Sequence, residues 1–223
     1  MIDLAYGKLI INVHDHLLPT NLQENQREIH ELCTYARGAV IDIGANVGSH
    51  SINFSRVADV VYAFEPQPRI FYNLCANLLI NHVYNVVPFN MALGSSCGVT
   101  QVVTLDPTLP GSPMGVAVGA GTQPTRIATL DSLAISPIHF IKIDVEGHEL
   151  EVLRGARATL EREDAIVYVE IHRAELIDQV REFMAALAYL DKKYVEVHTI
   201  VESQDVILTV GYLFWREGRI VWQ

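Results

Sequence analysis

The feature that most restricts the fold is an alternation along the chain. Short, continuous, β-branched runs are followed by stretches whose apolar residues recur at helical spacing. AVIDIG (39–44), VVYAFE (60–65), NVVPFNMAL (85–93), IHFIKIDV (138–145) and AIVYVEIH (165–172) read as strands. NVGSHSINFSRVA (46–58), PRIFYNLCANLLI (68–80), HELEVLRGARATLER (148–162) and AELIDQVREFMAALAYL (174–190) read as helices. Continuous apolar strands have no polar face to turn to water. The pattern therefore predicts an α/β protein whose parallel sheet is covered by helices on both faces. YVEVHTIV (194–201) and DVILTVGYLFW (205–215) are separated only by ESQ, too short for a crossover. They are predicted to pair as an antiparallel hairpin.

The 223 residues correspond to one domain with a small appendage. Residues 1–38 are expected to form an extension, a strand (9–13) and a helix (23–36), packed on the core. Residues 39–223 form the core itself. Half of the residues are hydrophobic and 19% are charged, which excludes a disordered chain. The net charge is −10, and the 16 Lys and Arg are scattered. That argues against nucleic acid and against an anionic membrane surface as partners. The N-terminus lacks the signal-peptide pattern, and no apolar run reaches the ~20 residues needed to cross a bilayer, so a cytoplasmic location is expected. Cys33, Cys75 and Cys97 form no disulfide framework; Cys33 and Cys75 read as buried structural thiols. LDPTLPGSPMGVAVGAGTQPT (105–125) is too long and too rich in Gly and Pro for an ordinary connection; it reads as a functional lid or a disordered loop.

The sharpest motif is Asp42-Ile43-Gly44-Ala45-Asn46-Val47-Gly48, where a strand ends and a helix begins. Gly44 permits a tight turn and close approach of a ligand. Gly48 permits close packing of the helix on the strand, and the helix N-terminus offers free N–H groups. Glu65 ends the next strand 21 residues beyond Gly44, the place from which an acid holds a ribose diol. The glycine spacing is GxxxG rather than GxGxxG, and Asp42 precedes it. A carboxylate there suits a ligand with a cationic part, S-adenosyl-L-methionine, better than a pyrophosphate.

The segments VIDIGANVGSHS (40–51), VYAFEPQPRIFYNLCANL (61–78), NMALG (90–94), TLDSL (129–133), FIKIDVEGHELEVLRGA (140–156) and VYVEIH (167–172) resemble the FkbM-type methyltransferases. These belong to the class I S-adenosylmethionine-dependent superfamily. The resemblance implies a Rossmann-like seven-stranded sheet of order 3-2-1-4-5-7-6 with strand 7 antiparallel. It makes residues 39–223 the methyltransferase domain. It implies methylation of a hydroxyl on a sugar or secondary metabolite, with S-adenosyl-L-homocysteine as product. Asp42, Gly44, Ala45, Asn46 and Gly48 would form the cofactor loop, and Glu65 with Pro66 the ribose end. Asn90, Met91 and Ala92 would contact adenine, and Asp144 would face the methionine end and the acceptor. The 105–125 loop departs from the Ser-rich segment of the family, and the N-terminal region is short.

Methyl transfer needs alignment and a place for the acceptor's proton. Lys142, Asp144 and Glu146 share one face by period-two alternation, as do Glu170 and His172. In the first reading His172 or Asp144 is the general base and Glu170 orients the acceptor; an imidazole of ordinary pKa near 6.5 suits that task. In the second, Asp144, Glu170 and His172 bind a divalent metal. The first is preferred, because no ligand spacing is diagnostic, so no metal is expected. Glu146 also reads as a helix cap. His148 reads as part of an exposed first turn, and buried Lys142 as a salt-bridge partner of Asp144 or Asp131. His14 and His16 flank Asp15 in a loop. His50, His82, His139 and His198 read as ordinary positions, and Trp215 and Trp222 as packing residues. The expected partner is a hydroxylated small molecule. An N-methyltransferase and a non-catalytic S-adenosylmethionine-binding module are the alternatives. The edge of the third strand or the C-terminal hairpin could pair in a homodimer.

Overall fold

The computed structural model describes residues 2–4, 7–9, 28–102, 118–119, 121–202 and 205–217. For 2–4, 7–9, 192–202 and 205–209 it describes the backbone alone. Strands β1 (Ile2–Leu4) and β2 (Gly7–Leu9) pair antiparallel. A helical turn at 28–32 precedes the core. Then come β3 (Ala39–Ile43), α1 (Ser49–Phe54), β4 (Val60–Phe64), α2 (Pro68–Ile80) and β5 (Val86–Phe89). Three short strands follow: β6 (Ala92–Leu93), β7 (Gly98–Val102) and β8 (Gln123–Ala128). The second half runs β9 (Phe140–Asp144), α3 (Glu149–Gly155), α4 (Arg157–Arg162), β10 (Ile166–Ile171), α5 (Ile177–Ala186), β11 (Tyr189–Glu202) and β12 (Asp205–Arg216).

Seven strands make one sheet in the order β11-β12-β10-β9-β3-β4-β5. β12 runs antiparallel to its neighbours β10 and β11, while the pairs from β10 to β5 are parallel. Alternation assigns each strand residue to a face. Ile41, Ile43, Ile141, Ile143, Val167 and Val169 pack under Leu150, Leu153, Leu160, Val180 and Met184 of α3, α4 and α5. Val40, Val61, Phe140 and Tyr168 pack on the other side against Ile52, Phe54, Leu74 and Leu78 of α1 and α2. Each fully buried aliphatic or aromatic side chain contributes ~1.5–3 kcal/mol. No helix among the described residues is long and apolar enough to cross a membrane.

The structure departs from the sequence-based boundaries in several places. The run 85–93 is two strands. It breaks at Asn90-Met91, and β6 leaves the main sheet to join β7 and β8 in a three-stranded sheet of order β6-β8-β7. The run 148–162 is two helices meeting at Ala156. The Asp131 carboxylate causes the break: it accepts from the backbone N–H of Ala158 (3.0 Å) and Thr159 (2.7 Å), capping a new helix start. Asp131 is therefore not the partner of Lys142. The run 174–190 ends as a helix at Ala186, and left-handed Ala188 (φ 62°) turns the chain into β11. Beyond Leu9 the predicted strand 9–13 lies outside the described residues, as do His14, His16, Trp222 and most of 105–125, whose last three residues begin β8; of the predicted helix 23–36, residues 28–36 are described and only 28–32 are helical. Cys33 and Cys75 are half-buried, and burial raises both thiols, Cys33 to about 11.

Candidate active site

The site forms where β3, β4, β9 and β10 end. Beyond β3 the chain turns through three left-handed residues, Gly44 (φ 78°), Asn46 (φ 51°) and Gly48 (φ 93°). Gly44 is required by contact as well as by φ: a Cβ there would lie 1.7 Å from the Asp144 carbonyl oxygen. The loop thus rests directly on the end of β9. At Gly48 a Cβ would meet Leu74 of α2 at 2.6 Å, so the small residue serves helix–helix packing rather than packing on a strand. Gly44 and Ala45 donate their N–H groups to the Phe64 carbonyl (3.0 and 2.9 Å), tying the loop to β4.

Glu65 is held by backbone on both oxygens. Asn46 N–H donates to Oε2 (3.0 Å) and Gln67 N–H to Oε1 (2.8 Å). Burial outweighs these bonds and pushes its carboxyl up to about 7. Asn90 Nδ2 donates to the carbonyls of Glu65 (2.9 Å) and Pro66 (3.2 Å), pinning the turn after β5 to the turn after β4. Between these turns lies a crevice of about 520 Å³, part of it open to solvent. Gly44, Asn46, Glu65, Pro66, Ala92 and Asp144, all expected at the cofactor, line it. Gln67, Leu93, Val118, Val145 and Glu146 line it too. Of these, Glu146 belongs to the acidic strand-end group and Val118 to the 105–125 segment read as a lid or a disordered loop; Gln67 and Val145 stand inside the motifs but carry no chemistry that marks them. Asp42, Ala45, Gly48, Asn90 and Met91 are not on the wall. Asp42 is fully buried beneath the loop, and Met91 packs on the apolar core.

A row of polar side chains crosses the sheet face under the loop. Register places Lys142 between Asp42 and Tyr168, and Asp144 beside Glu170. Lys142 is 1% exposed. Its Nζ donates to Asp144 Oδ2 (3.0 Å) and the Gly44 carbonyl (3.5 Å), and lies 3.6 Å from Asp42 Oδ1. Burial alone would lower its pKa; the Asp144 and Asp42 charges outweigh that and hold it above its ordinary value, as a cation. For Asp144, burial is overcome by Lys142 and then His172, which hold its carboxyl below the usual range. For Asp42, burial wins and the carboxyl is raised, despite Lys142 and a 2.5 Å hydrogen bond from Ser51 Oγ. Tyr168 donates to Glu28 (2.6 Å) farther along the row.

The outer end of this row is a ring of carboxylates around His172. Nε2 lies 3.5 Å from Asp144 Oδ1, 3.5 Å from Glu146 Oε2 and 3.6 Å from Glu170 Oε1. Nδ1 donates to Glu149 Oε1 (3.2 Å), which also accepts from the Gly147 N–H (2.7 Å). Burial alone would lower the imidazolium's pKa. The Glu149 bond and the three other carboxylates instead push it up to about 10, so the ordinary value near 6.5 does not apply here. Burial and Asp144 hold the Glu170 carboxyl well above its usual range, and burial raises Glu146. Glu146 does not cap α3; in left-handed conformation (φ 54°) it turns to His172. Asp144, Glu170 and His172 are the described residues whose ligand atoms converge, within 4.8 Å of one another. Glu149, fully buried, was missed because nothing in the sequence tells that the first residue of a helix reaches back to β10's end. His50, read as an ordinary position, and His148, read as part of an exposed first turn but half-buried, each have a buried Nε2 without a hydrogen-bond partner.

The family model for the methyltransferase FkbM domain matches residues 42–191. The chain belongs to the FkbM methyltransferase family. All the crevice-lining residues and the His172 cluster fall inside this FkbM domain. The chain is 33% identical over 145 residues to the hexuronic acid methyltransferase AglP of Haloferax volcanii, covering 59% of this chain and 54% of that protein. The crystal structure of methyltransferase FkbM from Methylobacillus flagellatus KT superposes with a TM-score of 0.56 at 18% identity, covering 80% of this chain and 44% of that one. M. jannaschii TYW2 in complex with AdoMet gives 0.50 at 16%, covering 87% and 77%. At these identities the structural likeness is one of fold. The chain spans about half the length of the first two proteins.

Proposed function

We propose that the chain is an S-adenosylmethionine-dependent O-methyltransferase acting on a hydroxyl of a sugar or similar small molecule. The observation that carries this reading is the charge of the crevice. Its lining includes Glu65, Asp144 and Glu146 and no Lys or Arg among the described residues. Lys142 below it is already committed to Asp42 and Asp144. Such a wall suits a cationic cofactor and repels a pyrophosphate. Glu65 is positioned by two backbone N–H groups, which leaves lone pairs on both oxygens for the ribose hydroxyls. Family membership and the AdoMet complex of TYW2 support the same cofactor. The hexuronic acid methyltransferase relative supports a sugar acceptor.

When bound, S-adenosylmethionine supplies an electrophilic methyl group, whose bond to sulfur breaks with its electron pair staying on sulfur. The chain's task is to bring the acceptor oxygen into line and take its proton. Asp144 stands on the crevice wall, and Glu170 and His172 lie beside it. These three side chains orient the hydroxyl, and the cluster receives the proton. Calorimetry with S-adenosylhomocysteine should give one site per chain, lost in Glu65→Ala. Labelled methyl from S-adenosylmethionine should pass to members of a panel of sugars and uronic acids. No binding at millimolar ligand overturns the reading.

A further inference from the structure

We propose that Asp144, Glu170 and His172 form a binding site for one divalent cation of the magnesium or manganese type, with open positions turned to the acceptor's oxygens. The three ligand atoms lie within 4.8 Å of one another. Ligands sharing a Mg²⁺ at ~2.0–2.1 Å stand ~3–4 Å apart, so small side-chain adjustments close the site. The set of two carboxylates and one imidazole suits these ions.

The surrounding groups divide the labour as a metal site requires. Asp144 gives Oδ2 to Lys142 (3.0 Å) and keeps Oδ1 toward His172 Nε2 (3.5 Å). His172 Nδ1 is engaged by Glu149 (3.2 Å), which fixes the ring so that Nε2 faces the cluster. A carboxylate behind a ligating imidazole is the usual support of such a ligand. Glu149 is an independent sign. It is fully buried and aimed at the ring, and its Oε2 has no hydrogen-bond partner. Asp42, Asp144, Glu146, Glu149 and Glu170 gather around Lys142 and His172, with the Arg173 side chain packed over Gly147, so carboxylates outnumber cations in the cluster. Glu146, 41% exposed at its side chain, stays outside the ligand set, on the open side.

The role of the ion in methyl transfer rests on the function proposed above; its binding does not. The test is therefore Mn²⁺ titration followed by electron paramagnetic resonance, on the full chain without acceptor. One equivalent should quench the free-ion signal, and Mg²⁺ should compete. Glu170→Gln and His172→Gln should each weaken binding ~10-fold or more. Glu149→Gln, acting through the ring, should weaken it ~10–100-fold, with circular dichroism unchanged. A full free-ion signal at millimolar Mn²⁺ overturns the site. So does binding that is undiminished in both Glu170→Gln and His172→Gln. Calorimetry with S-adenosylhomocysteine on the same samples reads the cofactor crevice separately.

Discussion

The crevice has two halves that hold their charges by different means. On the half proposed to hold the cofactor, Glu65 is positioned by the backbone N–H groups of Asn46 and Gln67. On the half proposed to meet the acceptor, Asp144 and, beside the crevice, Glu170 and His172 are positioned by other side chains, chiefly Lys142 and Glu149. Backbone donors move only if the chain moves. Side-chain donors can be deleted singly, and each deletion strands a buried charge. The first half should therefore tolerate substitution around it, and the second should fail by propagation.

The strongest way to break the comparison is Lys142→Met. It leaves Asp42 and Asp144 without their shared cation and should cost about 3–5 kcal/mol in urea unfolding at pH 7. Adding Asp42→Asn should recover part of that loss. The next effect is pH dependence through Glu65. Its carboxyl moves from an ordinary 4.5 to about 7 on folding, so the folded chain binds the extra proton between those values. Stability from this group falls as pH rises from 4.5 to 7, by about 3 kcal/mol, and is level above that. Unfolding curves at fixed ionic strength should lose this component in Glu65→Gln. Gly44→Ala joins the halves: it forces a side chain into left-handed backbone against the Asp144 carbonyl. It should cost about 2 kcal/mol and weaken both S-adenosylhomocysteine and Mn²⁺ binding. Asp131→Ala lies outside both halves. Loss of its cap on α4 should cost about 1 kcal/mol with both affinities unchanged.

The same division decides what could be read in advance. The backbone-held half is written as motif, because left-handed turns demand glycine at 44 and 48 and a strand end puts Glu65 at a fixed spacing. Period-two alternation likewise placed Asp144, Glu170 and His172 at the ends of neighbouring strands. Side-chain partners across the fold were not legible. That Lys142 takes Asp42 rather than Asp131 follows from the register of β3 on β9, which one sequence does not encode locally. Glu149 is found only once α3 is seen to start beneath His172. The small sheet was missed for a different reason: in β7, GVTQV, all but the last residue are exposed or half-exposed, so no buried face marks it. Helix breaks imposed by a distant carboxylate, as at Ala156, leave no local signal either.

One contact between the halves has a mechanical consequence. Position 44 leaves no gap for even a methyl group between the cofactor loop and the Asp144 carbonyl. The two turns therefore move as a single block. On the proposed function, any displacement that loosens the grip on the cofactor also displaces the acid nearest the acceptor. Alignment of donor and acceptor is then a property of the packed chain itself, already set before either molecule arrives.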